Sequence, residues 1–204
     1  MINNIILILG VALTVILYLY IVIIYFINRG KEDSMTSSEL VLKLLDNDAS
    51  INLIESKESI FSKYNIKRKM VKLSESCYDS KNYFNLAIAS LLSGYSLLNN
   101  NLLNYLGYVF RELKFISFSS IIGLVVSLFA SNVGDSRIGI VILIIIAVYQ
   151  YIINMLNTFA VAKVKVNDNI SRVLNKFVFV SKLAFIITLI EIIRLVVIIL
   201  EIWL

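Results

Sequence analysis

Two opposite charges lie three residues apart inside an otherwise apolar stretch near the end of the sequence. Glu191 and Arg194 are the only charged residues between Leu183 and Leu200, and their spacing places both on one face of a helix. Charges inside a membrane are costly and are usually paired or functional. The pair therefore has two interpretations. It forms an ion or proton path or a docking point for a partner, or it is an internal ion pair facing the interior of a helix bundle.

The residue types that are missing exclude most other chemistry. The 204 residues include no histidine, no proline and one cysteine, Cys77. The lack of histidine excludes a His general base, Ser-His and Cys-His pairs and His zinc ligands. One cysteine excludes an internal disulfide and a Cys-rich metal site within one chain. We therefore expect no cofactor and no metal, and we expect Cys77 to be a small core residue or an unreactive surface thiol.

A basic cluster is the second candidate site, formed by Lys63, Lys67, Arg68, Lys69 and Lys72. It is typical of contact with anionic lipid headgroups, or of a solvated loop whose charge only follows the topology of a membrane protein. Both interpretations stay open. Residues 29–115 carry twelve basic and ten acidic side chains, a balance that argues against nucleic acid as a partner.

The elements that must position these residues are mostly apolar. Hydrophobic residues make up 59% of the chain and charged residues 16%, whereas a soluble domain carries roughly 25% charged residues. Four stretches are predicted to span the membrane, the first as an N-terminal anchor. They are residues 5–27, 116–133, 138–162 and 183–200.

The distribution of Lys and Arg predicts the orientation of these spans. Twelve basic residues lie between spans one and two, four more lie between spans three and four in addition to Lys182 at the edge of span four, and only Arg137 lies in the opposite connection. Both basic regions are therefore expected in the cytoplasm and both termini outside. The expected location is a bacterial plasma membrane, with an organelle inner membrane as the alternative.

The connection after the first span is the one segment long enough to fold outside the bilayer. Thr36 to Glu39 has the pattern of a capping box, which predicts a helix start. Residues 51–55 and 69–73 alternate with the period of strands, a third short strand is expected between 59 and 68, and helices are expected over 82–98 and 102–114. The predicted fold is an α-helical integral membrane protein of four transmembrane helices. Its parts are an anchor (1–28), a cytoplasmic α+β insertion (29–115) and a three-helix transmembrane bundle (116–204).

The order of these elements resembles the neutral zinc metallopeptidases of bacterial membranes, the YugP-like group. The resemblance covers nearly the whole chain. Each matching stretch is short and weak alone, and the order and spacing of the stretches make the resemblance moderately specific. The stretches are 35–40 with 43–46, 69–74 with Tyr78, 87–89 leading to Gly94, and 189–195.

The resemblance implies an H-E-x-x-H helix that holds zinc, with the Glu activating water. Placed on this sequence, the first His falls on Leu91, the Glu on Leu92 and the second His on Tyr95, and only Gly94 is kept. The downstream carboxylate falls near Asn157. Leucine offers no lone pair, and tyrosine, with a phenol pKa near 10, is a poor zinc ligand. The catalytic residues of the family are therefore absent from this chain.

The sequence thus favours an inactive relative of zinc metallopeptidases that acts by binding. Expected partners are the lipid bilayer and other membrane proteins, such as an active paralogue in one complex. The alternative is an accidental resemblance, in which case the chain is a small hydrophobic subunit of a larger bioenergetic or transport complex. A cleft between the 82–98 helix and the residues near Asn157 would favour the first interpretation, and a large separation of the two would favour the second.

Overall fold

The structure, a computed structural model, describes residues 2–45, 52–56, 62–65, 70–98, 119–132 and 136–203. Most of these residues are helical. The elements in chain order are α1 (Ile2–Arg29), α2 (Ser37–Leu45), β1 (Asn52–Ser56), β2 (Lys63–Asn65), β3 (Met70–Ser74), α3 (Glu75–Tyr78), α4 (Tyr83–Ser96), α5 (Ser119–Asn132), α6 (Ser136–Lys163) and α7 (Asp168–Trp203). The predicted 102–114 helix lies outside the described residues.

Within the described residues, three helices are long and apolar enough to cross a membrane. The qualifying stretches are Asn3–Arg29 in α1, Ile138–Lys163 in α6 and Asp168–Glu201 in α7. The shortest has 26 residues, and at 1.5 Å per residue it covers about 39 Å, more than a hydrocarbon core of about 30 Å. These helices are consistent with an integral membrane protein.

The other predicted span corresponds to a shorter helix. Helix α5 has 14 residues, or about 21 Å, and the ends of the predicted 116–133 span lie outside the described residues. The sequence prediction also began the last span at Leu183, whereas α7 begins at Asp168. The side chain of Asn167 caps this earlier start by accepting the Ile170 N–H at 2.9 Å. The basic residues in the first turns of α7 are unfavourable in hydrocarbon, so hydropathy places them outside the span. They are nevertheless fully compatible with a helix.

The three predicted strands are present and form one small sheet. Its order is β1-β3-β2, with β1 parallel to β3 and β2 antiparallel to it. The last strand along the chain is therefore the central one. Val71 and Leu73 on β3 are completely buried, which shows why this strand alternates most clearly in the sequence.

Helices α2 and α4 begin at side-chain caps. Glu39 accepts the Thr36 N–H at 2.8 Å, and Thr36 Oγ1 accepts the Glu39 N–H at 3.2 Å. The predicted capping box is thus confirmed. Asn82 caps α4 by accepting the Asn85 N–H at 2.8 Å.

The chain forms two compact units. The first comprises Met1–Ile21, Phe110–Asn154 and Phe179–Leu204, and the second comprises Val22–Val109 and Met155–Val178. In the first unit, Leu17, Ala184 and Ile187 form a buried apolar cluster. The second unit holds the sheet and α4 and takes in the last turns of α1 and α6 and the first turns of α7. It is therefore larger than the predicted 29–115 insertion.

Candidate functional site

The positions on which the resemblance places a zinc motif lie in the second unit, on α4. Leu92 and Tyr95 are buried, and Leu91 is half-buried. The Tyr95 hydroxyl donates a hydrogen bond to Oδ1 of Asn157, which is also buried. The structure thus brings together two side chains that are 62 residues apart in the sequence.

Gly94 permits this contact because it lets α4 approach α6 closely. A Cβ at Gly94 would overlap the carbonyl oxygen of Ala160. Ala160 lies three residues after Asn157, on the same face of α6. Gly94 therefore has a direct packing reason in this chain.

The chemistry available at this position is that of a neutral hydrogen bond. Leu91 and Leu92 have no donor or acceptor in their side chains, and a phenol and an amide carry no charge at neutral pH. Among the described residues, no group of three His, Cys, Asp or Glu side chains could hold a metal ion.

Glu191 and Arg194 form the polar centre of the first unit. Both are almost completely buried, and Arg194 Nε lies 3.0 Å from Glu191 Oε2. Ser127 on α5 completes the group: its hydroxyl donates to Glu191 Oε2 at 2.6 Å and accepts from Arg194 Nε at 3.1 Å and from Arg194 Nη2. The two charges are thus joined inside the unit. Neither is exposed at its surface as a docking point would require.

The other carboxylate oxygen of Glu191 faces α1. Within the described residues, Glu191 Oε1 is buried and has no hydrogen-bond partner. A Cβ at Gly10 would overlap this oxygen, so α1 passes close to the carboxylate at this residue. Helices α1, α5 and α7 of the first unit therefore meet at one polar point, which is formed by Gly10, Ser127, Glu191 and Arg194.

The basic cluster predicted from the sequence is largely beyond what the structure describes. Lys67, Arg68 and Lys69 lie outside the described residues, as does the side chain of Lys63. Lys72 is half-buried on β3. The headgroup interpretation of this cluster stays a prediction.

Cys77 is a core residue rather than a surface thiol. It is 3% exposed, and its Sγ lies 3.7 Å from the carbonyl oxygen of Asn85. Burial raises the pKa of the Cys77 thiol, which lowers the fraction of reactive thiolate at neutral pH.

Two polar contacts were not predicted from the sequence. Ser127 is a single serine in an apolar stretch, and nothing in its neighbourhood marks it as the partner of a charge pair. Asn167 donates to Asp33 Oδ2 at 2.6 Å. Burial acts to raise the pKa of Asp33, but this bond and those from Ser34 lower it overall. The Asn-Asp-Asn run at 167–169 was an N-cap signal that could have located the start of α7.

Comparison with known proteins finds no relative of this chain. No family model matches the sequence, no curated protein matches it, and no solved structure matches the fold.

Proposed function

We propose that this chain is a catalytically inactive membrane relative of zinc metallopeptidases, acting as a scaffold or regulatory binding subunit. The observation that carries the proposal is the hydrogen bond between Tyr95 and Asn157. In the resemblance, these two residues occupy the places of the second zinc-binding His and the downstream carboxylate. A chance resemblance gives no reason for these two positions to be in contact.

The close contact at Gly94 supports the same proposal. A metal site built from one helix and a carboxylate on another needs the two backbones to be near each other. Here α4 lies so close to α6 that a Cβ at Gly94 would overlap Ala160. This proximity supports the proposal, and the side chains at the contact are those of a packed interior.

Restoring the ligands tests the proposal. The variant Leu91→His/Leu92→Glu/Tyr95→His/Asn157→Asp should bind zinc stoichiometrically, measured as metal per chain after purification in mild detergent. A control with the same changes but Tyr95→Phe lacks one ligand and should bind far less. Size-exclusion chromatography and circular dichroism establish that the variants fold.

Each outcome has a clear meaning. A folded four-residue variant without zinc would contradict the relationship to metallopeptidases. Stoichiometric zinc in the unaltered protein would contradict the inactive assignment. The binding role implies a partner among other membrane proteins, for which an active paralogue is our first candidate.

We further propose that α5 is part of a fourth membrane span. Its Ser127 hydroxyl bonds the charge pair of α7 in the middle of an apolar helix. A Cβ at Gly123 would lie 3.4 Å from Leu143 Cδ2 and 3.7 Å from Thr188 Oγ1, so α5 packs against both α6 and α7. These contacts favour a helix inside the bundle over one lying on its surface.

Four spans place both termini outside and the basic residues in the cytoplasm, as expected in a bacterial plasma membrane. Single cysteines introduced into a Cys77→Ser background test this orientation. A membrane-impermeant maleimide should label Glu201→Cys in intact cells, and should label Lys165→Cys only after the cells are permeabilised. The reverse pattern would invert the proposed topology.

A further inference from the structure

A group of exposed basic side chains in the second unit belongs to neither candidate site. Five of them are exposed, and a sixth, Lys176, is half-buried. They lie at the end of α1, at the end of α6 and at the start of α7. The exposed residues are Arg29, Lys31, Lys163, Lys165 and Arg172.

Hydrogen bonds bring these separate segments together. Asn167 Nδ2 donates to Asp33 Oδ2 at 2.6 Å, and Asn169 Nδ2 donates to the Tyr83 hydroxyl at 3.2 Å. The Tyr83 N–H in turn donates to the carbonyl oxygen of Lys31 at 3.0 Å. The residues that follow α1, the start of α4 and the start of α7 therefore meet, and we call the exposed cations of these neighbouring segments the hairpin patch.

The charge of the hairpin patch is not balanced locally. Residues 29–33 and 163–176 hold six basic residues and three acidic ones, a net charge of +3. Among the described residues, none of the five exposed cations takes part in an ion pair. One of the acids, Asp33, is already occupied by hydrogen bonds from Asn167 and Ser34.

Exposed apolar side chains precede the cations on both incoming helices. Phe26 is 67% exposed, three residues before Arg29, and Phe159 is 45% exposed, four residues before Lys163. An exposed apolar ring one helical turn before a cation is compatible with a helix end whose Lys or Arg side chain reaches the headgroups.

We propose that the hairpin patch binds the phosphate group of an anionic phospholipid. The apolar rings contact the acyl chains, and the guanidinium and ammonium groups supply charge-assisted hydrogen bonds to the phosphate. A lipid fits better than a free anion because the cations follow directly on membrane-crossing helices. This inference does not depend on the zinc-peptidase relationship.

Lipid retention by the full chain tests this site. The protein is purified from micelles holding equal amounts of phosphatidylglycerol and phosphatidylcholine, and the retained lipids are quantified by mass spectrometry. We expect phosphatidylglycerol to be retained preferentially, and Lys165→Gln/Arg172→Gln to reduce this preference about 30-fold. The charge-preserving variant Lys165→Arg/Arg172→Lys should keep most of it.

A matched control removes an exposed cation elsewhere in the same unit, Lys43 on α2, which follows Glu39 by four residues. Lys43→Gln should leave the preference unchanged, whereas Lys165→Gln alone should reduce it about 5-fold. Equal losses in Lys43→Gln and Lys165→Gln, or no preference in the unaltered protein, would overturn the proposal. Displacement of the lipid by inorganic phosphate would assign the patch to a free anion instead.

Discussion

The polar contact of the first unit is charged and local, whereas that of the second unit is neutral and distant in sequence. Glu191 and Arg194 are three residues apart on α7, and Ser127 joins them from α5. Tyr95 and Asn157 belong to different helices. A buried charge needs its partner, because the unpaired charge is far more costly than the pair. A neutral pair can lose one member at much lower cost.

This difference teaches how each region tolerates change. The first region is predicted to be sensitive to any single substitution that leaves a charge alone. The second region can be altered at the hydrogen bond, but it is constrained at Gly94, where two backbones nearly touch. Substitutions in the two regions should therefore fall into distinct classes of effect.

The largest effect is expected from Arg194→Met, which leaves the Glu191 carboxylate buried and unpaired. The free energy of unfolding should fall by about 3–5 kcal/mol, measured by denaturation in mixed micelles. The double variant Glu191→Gln/Arg194→Met removes both charges and should recover most of the loss. Equal losses in the single and double variants would show that the pair is not coupled, and the comparison would fail.

A smaller loss is expected from Gly94→Ala. The added methyl group would overlap the Ala160 carbonyl, and overpacking of this kind costs about 1–3 kcal/mol. Gly30→Ala is the matched control, because no atom lies within 4 Å of a Cβ at that position. If both variants unfold at the same denaturant concentration, α4 does not approach α6 as described.

Removing the neutral hydrogen bond should cost less again. Tyr95→Phe keeps the ring and deletes the hydroxyl, so the free energy of unfolding should fall by about 1 kcal/mol. Tyr151→Phe provides a control at a position that is 55% exposed and should be close to neutral. A loss as large as that of Arg194→Met would mean that the second region is not the tolerant one.

The smallest effect is expected outside both regions, at the exposed Glu39. The Thr36 N–H donates to this carboxylate and lowers its pKa below the ordinary value of 4.5. A group with a lowered folded pKa contributes stability that is full above its unfolded pKa and is lost as the pH falls through the folded one. In pH-dependent unfolding below about 4.5, the unaltered protein should lose this contribution and Glu39→Gln should not. If both proteins lose stability identically as the pH falls, the result would argue against the hydrogen bond between the Thr36 N–H and the Glu39 carboxylate.

Local signals in the sequence predicted much of the fold. The Thr36–Glu39 pattern located the start of α2, and period-two alternation located two strands, with the third expected in the segment between them. Strand order could not be predicted from such signals. Strand β1 pairs with β3 although β2 lies between them in the sequence, and pairing is a non-local property. The early start of α7 was missed because hydropathy reports where a helix can enter hydrocarbon, not where the helix begins.

The two candidate sites also differ in how much of their geometry could be predicted from the sequence. The spacing of Glu191 and Arg194 is visible in the sequence, so their contact could be anticipated. Their bond to Ser127 joins residues 64 and 67 positions apart, and a lone serine carries no signal. Tyr95 and Asn157 could be linked only through the family resemblance, because neither residue stands out among its neighbours.

The central claim is that the chain keeps the architecture of a membrane metallopeptidase without its metal chemistry. Purification of the unaltered protein from its native membrane in mild detergent tests this most directly, with metal content and co-purifying proteins measured on the same sample. We predict no stoichiometric zinc and a membrane protein present in fixed proportion to the chain. Stoichiometric zinc with no partner would contradict the account.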